Sequence, residues 1–80
     1  MGYNIILGKK AKKYLDAIPQ RLRERIAAAI DKLPDGDVAP MQGRSGFRLV
    51  VGGYRVKFSV DHMLETIDII DIGPRGDIYK

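Results

Sequence analysis

The sequence predicts an α+β fold in the order β-α-α-β-β-β, with a helical hairpin packed on a mainly antiparallel, twisted sheet. Three observations predict it. Gly46 to Val60, GFRLVVGGYRVKFSV, has the pattern of a β-hairpin turning at Gly52-Gly53. Two stretches with a helical apolar period, Lys9 to Ile18 and Gln20 to Leu33, meet at Pro19. Short runs of strong β-formers, Tyr3 to Leu7 and Thr66 to Ile72, stand near the two ends.

In chain order, Tyr3-Asn4-Ile5-Ile6-Leu7 suits a first strand, and Gly8 permits a change of direction while serving as a helix N-cap. In the first helix Ala11, Tyr14, Leu15 and Ile18 share a face, while Lys9, Lys10, Lys12 and Lys13 project elsewhere. Pro19 ends it, because a proline drives the preceding residue out of helical geometry. Pro19 also suits the first position of the next helix. There Leu22, Ile26, Ala29, Ile30 and Leu33 form one stripe, with Arg21, Arg23, Glu24, Arg25, Asp31 and Lys32 mostly off it. Helices joined with so little linker make a hairpin that covers a sheet. Their cations fit either the solvated side of amphipathic helices or a nucleic-acid surface.

Pro34-Asp35-Gly36-Asp37 signals a turn, and Pro40 is expected to keep the segment around it irregular. The connection from Pro34 to Ser45 is long for a chain of this size, which points to a binding role. A two-residue Gly-Gly loop then supplies the positive φ angles of a tight hairpin. That turn pairs Val51 with Tyr54, Val50 with Arg55, Leu49 with Val56, Arg48 with Lys57 and Phe47 with Phe58. Side chains alternate across a strand, so one face carries Phe47, Leu49, Val51, Tyr54, Val56 and Phe58. The other carries Arg48, Val50, Arg55, Lys57 and Ser59, a cationic face opposite a core face. Asp61-His62-Met63-Leu64-Glu65 reverses the chain, Thr66 to Ile72 is the last strand, Gly73-Pro74 ends it, and Arg75 to Lys80 is a tail. No internal repeat or boundary divides residues 1–80, which read as a single domain.

The chain has no cysteine, which excludes disulfides and thiol chemistry and fits a reducing cytoplasm. No leader-like segment or stretch of membrane-spanning length is present, so no membrane partner is expected. The formal net charge is +4, unevenly placed. Residues 1–60 hold twelve Lys/Arg against five Asp/Glu, and residues 61–80 two against five. A basic body suits a polyanionic partner, since phosphate neutralisation releases counterions, although many small soluble proteins are basic without one.

Most catalytic constellations are absent. There is no Gly-x-Ser-x-Gly elbow, and the glycines do not form a phosphate-binding loop. A single histidine, His62, in an expected turn argues against a metal site, and no cofactor is implied. Asp68 and Asp71, three apart on a strand, are expected on opposite faces, which excludes a carboxylate pair. Arg75-Gly76-Asp77 matches a short adhesion tripeptide by chance. What remains is Arg48, Arg55 and Lys57 on one sheet face, with Arg75 and Tyr79 after the last strand. RNA is a substrate that so sparse a set can serve. Its own 2′-hydroxyl attacks the adjacent phosphate, so an enzyme supplies a base, an acid and positive charge. A tyrosine hydroxyl titrates near about 10, and neighbouring arginines favour its ionised form. The same cations also fit a merely solvated sheet face.

Gly46-Phe47-Arg48-Leu49, Gly53-Tyr54-Arg55-Val56 and Ile72-Gly73-Pro74-Arg75-Gly76-Asp77-Ile78-Tyr79 together resemble the RelE toxins of the RelE/ParE superfamily, over nearly the whole chain. The resemblance implies the toxin of a type II toxin–antitoxin pair that enters the ribosomal A site and cleaves mRNA, without a metal, to a 2′,3′-cyclic phosphate and a 5′-hydroxyl. It implies that Arg55 binds the scissile phosphate and that Arg75 stabilises the transition state or protonates the leaving 5′-oxygen. Tyr79 would orient or deprotonate the 2′-hydroxyl, and Arg48 stands where a catalytic-site lysine is common. The implied partners are the ribosome with its mRNA and a cognate antitoxin that covers this surface in a heterodimer or heterotetramer. Two features depart from the pattern. Val50 stands where a second lysine is usual, with Lys57 on the same face as a partial replacement, and the sequence stops one residue after Tyr79. Two other readings fit the same fold: a ParE-like inhibitor of DNA gyrase, and a non-catalytic RNA- or partner-binding module.

Overall fold

The computed structural model describes residues 3–41 and 46–74. Its elements are β1 (Asn4–Leu7), α1 (Lys9–Ala17), α2 (Gln20–Asp31), β2 (Val38–Pro40), β3 (Phe47–Val51), β4 (Tyr54–Asp61) and β5 (Thr66–Pro74). The five strands form one sheet in the order β1-β5-β4-β3-β2. β1 runs parallel to β5 and every other neighbouring pair is antiparallel.

The β3–β4 hairpin has the expected register, from Phe47 opposite Phe58 to Val51 opposite Tyr54. Of the two turn glycines only Gly52 takes a positive φ, +59°, so the turn has the sign pattern of type II′ rather than the doubly positive type I′. Leu49, Val51, Val56 and Phe58 are buried, and Phe47 and Tyr54 pack against them. Phe47 and Phe58 stack with ring centroids 5.6 Å apart. Ile67, Ile69 and Ile72 extend this apolar face across β5.

The helices supply the other side of the core through Ala11, Leu15, Ile26 and Ile30, with Leu33 just beyond α2. Gly8 is where α1 meets the sheet. Its N–H donates to the Ile69 carbonyl at 2.9 Å, and a Cβ there would sit 2.8 Å from the same oxygen. Pro19 stands at the N-cap, one residue earlier than expected, and α2 begins at Gln20. Arg23 ties the helices together, since Nε donates to the Leu15 carbonyl at 2.9 Å and Nη2 to the Ile18 carbonyl at 3.1 Å. These are carbonyls that the end of α1 leaves without helical partners.

Three expectations need correction. The segment around Pro40 is not wholly irregular, because Val38–Pro40 pairs with Phe47–Leu49 as β2. Proline lacks a donor, and a sheet edge is where that loss is tolerated. The last strand runs on through Gly73 and Pro74, which pair with Arg55 and Tyr54. Asp68 and Asp71 do not fall on opposite sides by simple alternation. A register shift at Lys57/Phe58 places Asp71 opposite Lys57 and Asp68 opposite Ser59, two positions of the same β4 face.

Candidate functional site

Because the helices cover one face of the sheet, alternation turns Arg48, Arg55 and Lys57 to the other. Pairing sets them in two rows across the strands. Ala39, Arg48, Lys57 and Asp71 form one row, and Val50, Arg55 and Gly73 form the next, nearer the hairpin turn. Arg48 and Lys57 are therefore direct cross-strand neighbours of like charge, an arrangement that is unfavourable unless an anion is shared between them. All three cations are half-buried. Arg55 folds back on the turn, with Nη1 donating to the Gly52 carbonyl at 3.1 Å and the Tyr54 carbonyl at 2.9 Å. The Arg48 Nε is buried without a hydrogen-bond partner among the described residues.

No carboxylate among the described residues pairs with these cations. Asp71, the acid that the register sets nearest, is bound elsewhere. Its Oδ2 lies 3.2 Å from Lys10 Nζ, and its Oδ1 accepts from the Ile72 N–H at 2.9 Å. Sequence reasoning missed this ion pair, and it also missed the Arg23 clamp, because both depend on where α1 lies. Asp68 is exposed, one row farther from the turn.

Arg75 and Tyr79 lie outside the described residues. The chain passes from Pro74, opposite Tyr54, directly into Arg75. His62 is an exposed turn residue as expected, and its Nδ1 is 2.9 Å from the Tyr3 hydroxyl. No group of three or more His, Cys, Asp or Glu that could hold a metal occurs among the described residues. No described helix is long and apolar enough to cross a membrane. Chemically, this face is suited to anions: guanidinium and ammonium groups sit in a half-desolvated setting where charge-assisted hydrogen bonds to phosphate are strong.

Comparison with known proteins agrees with this fold. The family model described as the ParE toxin of the type II toxin–antitoxin system parDE matches residues 5–79. The toxin–antitoxin complex RelBE2 from Mycobacterium tuberculosis is similar with a TM-score of 0.81 at 20% identity, over 94% of this chain and 100% of that one. The archaeal RelE–RelB complex from Pyrococcus horikoshii OT3 gives 0.76 at 26% identity, over 96% and 99%. A mutant of the E. coli toxin RelE in the free state gives 0.70 at 18% identity, over 99% and 92%. Among curated protein sequences none matches the chain. The chain belongs to the ParE toxin family of type II toxin–antitoxin systems, within the RelE/ParE superfamily.

Proposed function

We propose that this toxin is a ribosome-dependent endoribonuclease that cleaves mRNA in the A site. The observation that carries the reading is the uncompensated cation face: Arg48 opposite Lys57, with Arg55 in the next row and no described carboxylate paired to them. In the reaction the 2′-oxygen attacks the adjacent phosphorus and the bond from phosphorus to the 5′-oxygen breaks. The 2′-hydroxyl proton goes to a base and the 5′-oxygen takes one from an acid. Arg55 binds the non-bridging oxygens, and Arg48 and Lys57 hold neighbouring phosphate. Arg75 neutralises the phosphorane or protonates the leaving oxygen, and Tyr79 serves the 2′-hydroxyl. A cognate antitoxin, a partner of the kind named in the RelE–RelB complex of Pyrococcus horikoshii, would silence this face by covering it.

The test is cleavage of mRNA on programmed ribosomes, beside the same mRNA without ribosomes and a Tyr79→Phe variant. Cleavage only with ribosomes, reduced by about 10²-fold or more in the variant, is the expected result for loss of a general base. Cleavage that the variant leaves intact moves the base elsewhere. A folded protein that cleaves nothing overturns the reading. The match to a ParE description favours one second reading, inhibition of DNA gyrase, which needs no RNA-cleaving residues. Gyrase-linked DNA breaks in place of RNA products would select it.

A further inference from the structure

A second cationic cleft lies on the helix side of the hairpin turn. It is a cavity of about 460 Å³ between α2 and the ends of β3 and β2, with Arg25 and Lys32 on one wall and Asp37 on the other. Ala28, Ala29 and Gly52 line it with small surfaces that allow a ligand close approach. Arg25 and Lys32 are exposed and stand seven residues apart on one helix face, a span of about 10 Å. The turn joins this cleft to the sheet face. Gly52 receives a hydrogen bond from Arg55 Nη1 on its carbonyl, while the Arg25 Nη2 lies 3.1 Å from where a Gly52 Cβ would stand. Two guanidiniums thus bracket one turn, one from each face of the sheet.

We infer that the Arg25–Lys32 cleft is a second phosphate-binding subsite, which holds the backbone of a single RNA strand as it leaves the Arg55 face and passes round the Gly52-Gly53 turn. The inference rests on the RNA-cleaving reading for the strand's origin. Its own support is the placement of Arg25 and Lys32. Their backbone positions are about 10 Å apart along the helix, wider than one phosphate group, which suits a strand better than a free phosphate ion. Asp37 lines the same cleft and opposes anion binding, so its charge is a second handle on the site. The lack of a side chain at Gly52 matters too, because a Cβ there would stand 3.1 Å from the Arg25 Nη2 and crowd that guanidinium where it meets the turn.

The experiment is anisotropy of a labelled single-stranded RNA bound to the full chain across a salt series. It compares the natural protein with Arg25→Ala/Lys32→Ala, Asp37→Asn and a charge control, Lys12→Ala/Arg21→Ala, whose exposed cations lie outside the cleft. Loss of two phosphate contacts should lower the salt slope by about 1.4, with a clear fall in affinity for a long strand and none for a trinucleotide. Asp37→Asn should tighten binding. An equal loss in the charge control, or RNA binding insensitive to both cleft changes, overturns the subsite. If binding depends on Arg25 and Lys32 but is unmoved by Arg55→Ala, the subsite stands and the role of the sheet face fails. If the natural chain binds no RNA, the subsite fails, while the ribosome-dependent reading stands or falls on the cleavage assay with programmed ribosomes.

Discussion

Lys10 on α1 holds the carboxylate of Asp71 on β5 at 3.2 Å, although the β4–β5 register sets Asp71 opposite Lys57. The register shift and the ion pair act together. The first brings an acid to the row occupied by Arg48 and Lys57, and the second turns that acid toward the helix. Lys10 is largely exposed, so its pair with Asp71 adds little to stability. Its consequence is electrostatic: it leaves the cation face without its nearest counter-charge.

Lys10→Ala should therefore weaken RNA binding by roughly two- to fivefold, the effect of one surface charge pair. Asp71 is then free to approach Lys57. The diagnostic comparison is Lys10→Ala/Asp71→Asn, which should recover the natural affinity because the released carboxylate is gone. If the double variant binds as weakly as Lys10→Ala, Lys10 acts only through its own charge.

Val50 and Lys57 give a second prediction. They lie diagonally on the same face, in the two adjoining cation rows. If Lys57 supplies the cation that Val50 omits, Lys57→Ala should cut ribosome-dependent cleavage by about 10²-fold, in the range for one lost transition-state donor. Val50→Lys placed on top of it should restore part of the rate. Cleavage unchanged by Lys57→Ala would end the idea of replacement.

The contrast between Gly8 and Gly53 yields a stability test. A methyl at Gly8 meets the Ile69 carbonyl at 2.8 Å, and backbone oxygen cannot swing aside as a side chain can. At Gly53 nothing lies within 4 Å. Gly8→Ala should destabilise the fold by about 1–3 kcal/mol, the usual cost of forced overpacking, and Gly53→Ala should stay within about 0.5 kcal/mol. Urea midpoints at equal slope measure both.

The strands and helices were legible where one rule governed a stretch. Gly52-Gly53 and the alternation around them specify the hairpin register, and with it the shared face of Arg48, Arg55 and Lys57. The shift at Lys57/Phe58 was not legible, because a bulge in β5 adds one residue without a local signal in TIDIIDI. Counting by twos from Asp68 then sends Asp71 to the wrong side. β2 was hidden for a different reason. Three residues ending in proline make a strand only because β3 offers them an edge, which is a tertiary cause that Val38, Ala39 and Pro40 do not carry themselves. The same holds for the Arg25 cleft, which exists only once α2 lies beside the Gly52 turn.

Arg23 shows how a charged residue off the apolar stripe contributes to the fold. Its guanidinium reaches back eight residues to the Leu15 carbonyl and five to that of Ile18, at the end of α1. Those oxygens are exposed by helix termination, and a cation placed there also opposes the negative end of the helix dipole. Arg23→Met keeps the aliphatic stem and removes both bonds. It should cost about 1–2 kcal/mol, discounted for partial solvent access. Arg23→Lys should recover less than half of that, since a single ammonium lacks the fork that spans two carbonyls. The loss should appear first as faster amide hydrogen exchange in the last turn of α1, before global unfolding shifts. Uniform acceleration across the sheet and both helices would mean instead that Arg23 supports the whole core and not the α1–α2 junction.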